Sequence, residues 1–494
     1  MTNRTSAGDD PGVGEESVPR GGVARPRDAA QVGGSEPLRV AVVGAGPAGI
    51  YATGALLNAA IPVSIDVIEA LPAPFGLVRY GVAPDHPKIQ SVSTVLAKIL
   101  ADPRVRFLGN VTYGVDLTAR DLRRHYHAVI HAIGSPNERS LGVPGEQLDG
   151  SFGGADFVAW YNGHPEAVDR GYLAAREAVV VGAGNVALDV ARMLATDADA
   201  LITTDIPAHV LEAWKSADAS DVYLLARRGP AYTKFTTPEL RELADLPGVD
   251  LLVDPADLEL DPAGAEVVEH NRTARRNVDV LKGWADQRPS GQRRRIHLRF
   301  WTRPTEILGS ERVEGVAVER TAFDTGGRLV GTGSTAHLPA QAVFRAIGYA
   351  GLALPGVPFD ESSATVPHLE GRVQGLDHNG VYVAGWIKRG PTGVIGTNKS
   401  DAAETVRAVL ADAPRLAVPP EPDPASVTGL LERRGVRFTT WDQWLLVDAH
   451  EVREGERFGR PRLKVCRVEE MLDIAGSAGG RGMTVSRHRG AVDG

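Results

Sequence analysis

The hydrophobic positions of this chain gather into short β-branched runs that end in glycine. Each is followed by small and apolar residues at helical spacing. LRVAVVG (38–44) is the first such run, and PAGIYATGALLNA (47–59) is the helix-like stretch after it. SIDVIEA (64–70) is a second strand-like run, closing on the acid Glu69. HYHAVIHAIGS (125–135) predicts a later strand that runs into a turn. From Ala178 the pattern restarts, with AVVVGAGNVALDVARML (178–194) as strand, turn and helix and DVYLLARRG (221–229) as the next strand. AQAVFRAIGY (340–349) resembles HAVIHAIGS, and GVYVAGW (380–386) leads through GPTGVIGTNKSDAAETVRAVL into a last long helix. Repeated β–α–β order of this kind predicts the α/β class, here with two dinucleotide-binding, Rossmann-like domains.

The two AIG turns, Ala132–Gly134 and Ala346–Gly348, read as the two crossings of an inserted domain. The expected division is therefore a first domain from 37–135 and 346–412, with a second domain, 136–345, set into it. Residues 1–36, rich in Gly, Pro and charge without an apolar core, are expected to be a disordered tail rather than a secretory signal. Residues 413–494 follow the Pro-rich LAVPPEPDPAS and carry no readable motif. They are expected to form a small helical and strand extension, because WDQWLLVDAHEV (441–452) has apolar surface to bury.

Composition narrows the chemistry. The chain has 494 residues, more than one core accommodates, and a net charge of −8 that argues against general nucleic-acid binding. Val40–Ile65 carries no charge, but its glycines, two prolines and Asn58 fit a buried strand–turn–helix better than a membrane span. Cys466 is the single cysteine. One thiol cannot form an internal disulfide, a cysteine-ligated cluster or a dithiol redox pair, so redox chemistry requires a bound cofactor, and a cytoplasmic setting is expected.

The two glycine turns differ in the residues at the end of the next strand. Gly44-Ala45-Gly46-Pro47-Ala48-Gly49 fits G-x-G-x-x-G, a turn that brings a pyrophosphate onto a helix N-terminus. Glu69 at the end of its next strand can accept hydrogen bonds from the hydroxyls of an unphosphorylated ribose, which suits FAD. The second turn, Gly182-Ala183-Gly184-Asn185-Val186-Ala187, is followed by Arg227 and Arg228, whose guanidinium forks suit a ribose 2′-phosphate and hence NADPH. The long spacing from Gly182 to Arg227 requires an insertion over 197–220.

FGLVRYGVAPDHPKIQ (75–90), GAGNVALDVAR (182–192), ARRGP (226–230) with FTTPELREL (235–243), and AGWIKRGPTGVIGTNKSDA (384–402) closely resemble ferredoxin–NADP reductases of the adrenodoxin-reductase type, in order, over roughly 38–412. The resemblance implies a flavoprotein that passes a hydride from NADPH to flavin N5 and then single electrons to a small iron–sulfur protein. It points to Trp386, Gly393, Val394 and Ile395 around the isoalloxazine ring, and to Leu77 and Val111 at the flavin or its adenine side. Gly393 is also implied beside the nicotinamide, and Glu239 at the NADP ribose. It implies that His86 lies near the flavin and is held by Asp189 and Glu242, tuning proton balance. A basic landing surface for an acidic ferredoxin is expected at Arg272, Arg275 and Arg276, at Arg293, Arg294 and Arg295, or at Arg241. An electron-input subunit of a larger enzyme and a nucleotide sensor without turnover are the competing readings. The first normally carries cysteine-rich cluster motifs that this chain lacks.

Overall fold

The structure is a computed structural model, and it describes residues 36–477. The expected N-terminal tail lies outside them, apart from Glu36. Among the described residues the backbone builds two large sheets, a three-stranded antiparallel sheet and a two-stranded ribbon.

The first sheet has the strand order 368–369, 372–373, 381–383, 128–131, 38–43, 63–69, 105–109. Its five strands from 381–383 to 105–109 are parallel, with Leu38 opposite Val63 and Val40 opposite Ala128. All six residues of Leu38–Val43 are buried, as expected for a central parallel strand covered on both faces. Helices Pro47–Leu57 and Thr397–Asp412 pack together beside this sheet. The sheet thus recruits strands from both sides of a long intervening segment.

That segment makes the second sheet, in the order 151–153, 342–345, 177–181, 221–225, 294–299, 249–253, all parallel. Helices Ala198–Leu201 and Ala208–Lys215 occupy the expected insertion between Asn185–Ala195 and the strand Asp221–Leu225. Strands 302–308, 315–323 and 329–339 form the antiparallel sheet. The ribbon pairs Asn137–Glu138 with Tyr349–Ala350, next to the two crossings read from the AIG turns.

Glu138 on this ribbon accepts the backbone N–H of Ala155 at the start of helix Gly154–Tyr161. Burial pushes its carboxyl up to about 7, against the pull of the Ala155 N–H, and Asp156 adds to the rise. The folded value thus exceeds the ordinary 4.5, so this group favours folding most at low pH and loses that contribution as pH rises through about 7. Glu138→Gln keeps an acceptor for Ala155. It should be more thermally stable than the parent at pH 8, with the difference shrinking toward pH 5; a difference independent of pH would contradict this.

The C-terminal extension departs from expectation. It is helical, with Pro424–Arg433, Trp441–Glu456 and Val468–Gly476, and its one strand-like feature among the described residues is an isolated bridge between Thr439 and Gly109. It does not stand apart. Trp444, Val447, Val465 and Met471 belong to the core of the first sheet, and Val427 and Leu431 pack on the cluster containing Val43 and Leu108. Helix Trp441–Glu456 is started by a capping box between Thr440 and Gln443.

A buried ion network joins the parts. Glu451 is fully buried and binds both terminal nitrogens of Arg79, whose guanidinium lies 5.1 Å from the ring centroids of Tyr80 and Trp444. Arg462 Nη1 and the Val465 N–H also reach the Glu451 carboxylate, at 3.1 and 2.9 Å. Lys464 then donates to the Arg79 carbonyl at 3.1 Å and to Asn162 Oδ1 at 3.2 Å, and pairs with Asp205 at 2.9 Å. Burial pulls the Lys464 ammonium below the usual lysine value, and Asp205 opposes it. One side chain of the extension therefore touches segments that connect strands of both large sheets.

Candidate functional site

Two glycine turns sit at the C-terminal ends of the central strands of the two sheets. In the first, Gly44 has φ +107°, a left-handed conformation that favours glycine. A Cβ on Gly49 would collide with the Gly44 carbonyl, so the helix can approach the turn only without one. Nothing lies within 4 Å of a Cβ placed on Gly46, which leaves that backbone open above the helix N-terminus. Ala45 N–H donates to Glu69 Oε2 at 2.7 Å and Leu71 N–H to Oε1 at 3.2 Å. Burial raises the Glu69 carboxyl and these N–H groups pull it back. Ala48 is buried in the helix, against Gly385.

The second turn repeats the geometry. A Cβ on Gly182 would strike the Ala346 carbonyl, and Gly184 faces open space. Ala183 and Val186 flank it half-buried. Asn185 Oδ1 accepts the Thr236 N–H at 2.9 Å and the Ala183 carbonyl accepts the Lys234 N–H at 2.8 Å, tying the turn to the segment before Glu239. Arg227 and Arg228 follow the strand Asp221–Leu225, exposed and without an ion pair among the described residues. Glu239 Oε2 is buried without a hydrogen-bond partner, and burial, then Asp189 and Glu242, raise its carboxyl.

Between the turns, the Trp386 and Tyr349 rings lie 5.5 Å apart. Gly393 adopts φ +83° in a loop that ends at the helix Thr397–Asp412, four residues further along the chain. Leu77 is 47% exposed and Val394 59%, two large apolar residues left open, while Ile395 packs on the first core. Val111 is only 1% exposed inside its own cluster. It can therefore offer a ligand little beyond its backbone.

His86 Nε2 lies 3.1 Å from Glu242 Oε2, without the alignment of a hydrogen bond. Asp189 does not pair with His86. Its carboxylate is engaged by Arg192 at 3.1 Å, one turn on along the same helix, and Arg192 also grips Asp85. Neither Asp85 nor Arg192 stood out in the sequence, though Asp85 precedes His86 and the Asp189–Arg192 spacing is that of one helical face. Asp401 was equally silent. It accepts the Gly385 N–H at 2.5 Å and pairs with Lys388 at 3.1 Å and Arg389 at 3.2 Å, fixing the turn that carries Trp386.

The candidate basic surfaces separate. Arg293, Arg294 and Arg295 are paired with Asp218, Asp197 and Asp221, so their charge is largely spent locally. Arg272, Arg275 and Arg276 are exposed along helix Arg272–Ala285 without ion pairs among the described residues, and Arg241 is exposed too.

No family model matches the chain. It is 44% identical over 457 residues to NADPH-ferredoxin reductase FprA of Mycobacterium tuberculosis, covering 89% of this chain and 99% of that protein. It is 39% identical over 458 residues to the mitochondrial NADPH:adrenodoxin oxidoreductase of Homo sapiens, covering 89% and 92%. The solved structure of M. tuberculosis FprA in complex with NADPH superposes with a TM-score of 0.83 at 44% identity, over 89% of this chain and 100% of that one. With glycine turns, fold and near-complete alignment in agreement, the chain belongs to the family of NADPH-dependent ferredoxin and adrenodoxin reductases.

Proposed function

We propose that this chain moves electrons between NADPH and a small acidic ferredoxin, using FAD held by the first glycine turn. The observation that carries this is the pair of open glycine turns with opposite partners, Glu69 behind one and the exposed Arg227 and Arg228 behind the other. FAD, when bound, would supply acceptance of a hydride from NADPH at N5 and its return as two single electrons and a proton.

The chain's residues do the rest. The Gly44–Gly49 turn takes the FAD pyrophosphate, and Glu69 accepts from its ribose. Leu77, Trp386, Gly393, Val394 and Ile395 cover the ring, and the exposed apolar faces of Leu77 and Val394 support that role. Ala183, Gly184, Asn185 and Val186 hold the NADP pyrophosphate and Glu239 its ribose, for which the unpartnered Oε2 is a ready acceptor. Gly393 leaves room for the nicotinamide. His86, beside Glu242, tunes the proton balance near the ring, with Asp189 contributing charge nearby. Residues 37–135 and 346–412 form the FAD-binding domain and 136–345 the NADP-binding domain. No helix among the described residues is long and apolar enough to cross a membrane, and the proposed setting is the cytoplasm.

Docking is assigned to Arg272, Arg275 and Arg276. Reversing all three to Glu should raise the KM for ferredoxin by about ten-fold or more at low salt, with the loss fading as ionic strength rises. NADPH-driven reduction of ferricyanide, which needs no docking face, should be unchanged. NADPH that reduced no candidate ferredoxin, in a parent chain that still reduced ferricyanide, would refute the functional reading.

A further inference from the structure

Arg192 is placed where the site's two halves meet. Its side chain is buried, on the helix Asn185–Ala195 that begins at the second glycine turn. Both terminal nitrogens reach Asp85, Nη2 at 3.1 Å, and Nη2 also holds Asp189 at 3.1 Å. Asp85 lies on the other side of the cleft, in the segment between strands Val63–Glu69 and Val105–Gly109 of the first sheet, and it immediately precedes His86. Opposite His86 stands Glu242, again from the second sheet's side. One guanidinium thus ties the segment carrying His86 to the helix that begins at the second turn. A planar fork with two carboxylates to satisfy fixes orientation as well as distance.

We propose that Arg192 is a positioning residue for hydride transfer: by gripping Asp85 across the cleft, it holds His86 against Glu242. The inference rests on the proposed role of His86. The surrounding charge makes the arrangement specific. Asp85, Asp189, Glu239, Glu242 and Asp245 crowd the same region as His86, with the fully buried Tyr161 hydroxyl close by and unpartnered. Arg192 is the cation that neutralises two of these carboxylates directly. Burial works against its charge, but Asp85 and Asp189 outweigh this and keep it protonated far above the neutral range. A cleft lined by Asp85, His86, Arg192, Glu242 and Asp245 connects the group to solvent.

Lysine at 192 keeps the charge but cannot bridge two carboxylates with a planar fork. Asp85→Asn cuts the same contact from the other side, at a residue partly open to solvent that disturbs folding less. In both variants flavin reduction by saturating NADPH should slow by about ten- to hundred-fold, the cost of a small misplacement at the reacting centre. The pH profile of that rate should shift with it, while the KM for NADPH and the flavin content hold. Combining Arg192→Lys with His86→Gln should slow the reaction no more than His86→Gln alone. A parental rate and pH profile in both single variants would overturn the proposal. So would a loss from Arg192→Lys that persists undiminished in the His86→Gln background, since Arg192 would then act independently. His86→Gln alone reports on the role of His86: an unchanged profile there removes that role, whatever Arg192 does.

Discussion

Replacing Arg227 and Arg228 together by alanine is expected to raise the KM for NADPH by about two orders of magnitude and to leave the KM for NADH nearly unchanged. The expectation comes from how the two side chains are held. Thr321 Oγ1 donates to the Arg227 carbonyl at 2.7 Å and Trp301 N–H to the Arg228 carbonyl at 3.3 Å, so the backbone is fixed from the antiparallel sheet. Any side chain on Gly229 would collide with the Trp301 ring, which locks the turn after them. The guanidinium groups meanwhile remain exposed and unpaired among the described residues. A hydrogen bond to a charged group contributes about 1.5–3 kcal/mol, and two imperfectly additive ones about 3–4 kcal/mol. That is a few hundred-fold in affinity for the 2′-phosphate. Steady-state kinetics with both nucleotides decides it: equal changes for NADPH and NADH would remove the 2′-phosphate assignment.

The largest loss of stability should come from Glu451→Ala. The carboxylate is fully buried, and its removal strands Arg79 between Tyr80 and Trp444 with its charge uncompensated. Burial disfavours that charge, and Glu451 is what holds the guanidinium protonated well above its ordinary range. Breaking a buried pair of this kind costs about 3–5 kcal/mol. The exposed pair Arg293–Asp218 provides the contrast, because an exposed pair contributes about 0–1 kcal/mol at most. Thermal unfolding of Glu451→Ala and Asp218→Ala side by side should show a large fall in Tm for the first and almost none for the second. Similar falls would mean that the buried network is not what anchors the extension.

What the sequence disclosed was local. Leu38–Val43, Val63–Glu69, Glu177–Val181 and Asp221–Leu225 were legible because parallel strands buried on both faces need continuous apolar runs, and glycine turns mark their ends. The strands Ala128–His131 and Ala342–Arg345 before the two AIG turns were legible for the same reason. Long-range partnerships were not legible. Arg79 and Glu451 stand 372 positions apart, and nothing around either residue names the other. Asp189 illustrates the limit at close range: it was expected to hold His86, but a guanidinium three residues along its own helix competes for it. The run Arg293–Arg295 reads as a candidate docking face because sequence shows charge without showing its neutralisation by aspartates on other elements. In the extension, the apolar content of WDQWLLVDAHEV predicted burial correctly, whereas the surface it would cover depended on folded elements elsewhere.

The first sheet has a consequence for biosynthesis. Strand Val381–Val383 pairs with Ala128–His131, whereas the second sheet is complete within residues 151–345. A chain emerging from the ribosome N-terminus first can close the second sheet while the first still lacks its fifth parallel strand. The loop at Gly393 and the residues that seal the core, Trp444 and Met471, arrive later still. The nucleotide proposed for the first turn would therefore be captured at the end of synthesis, into a domain whose first strands emerge early and whose last ones emerge late.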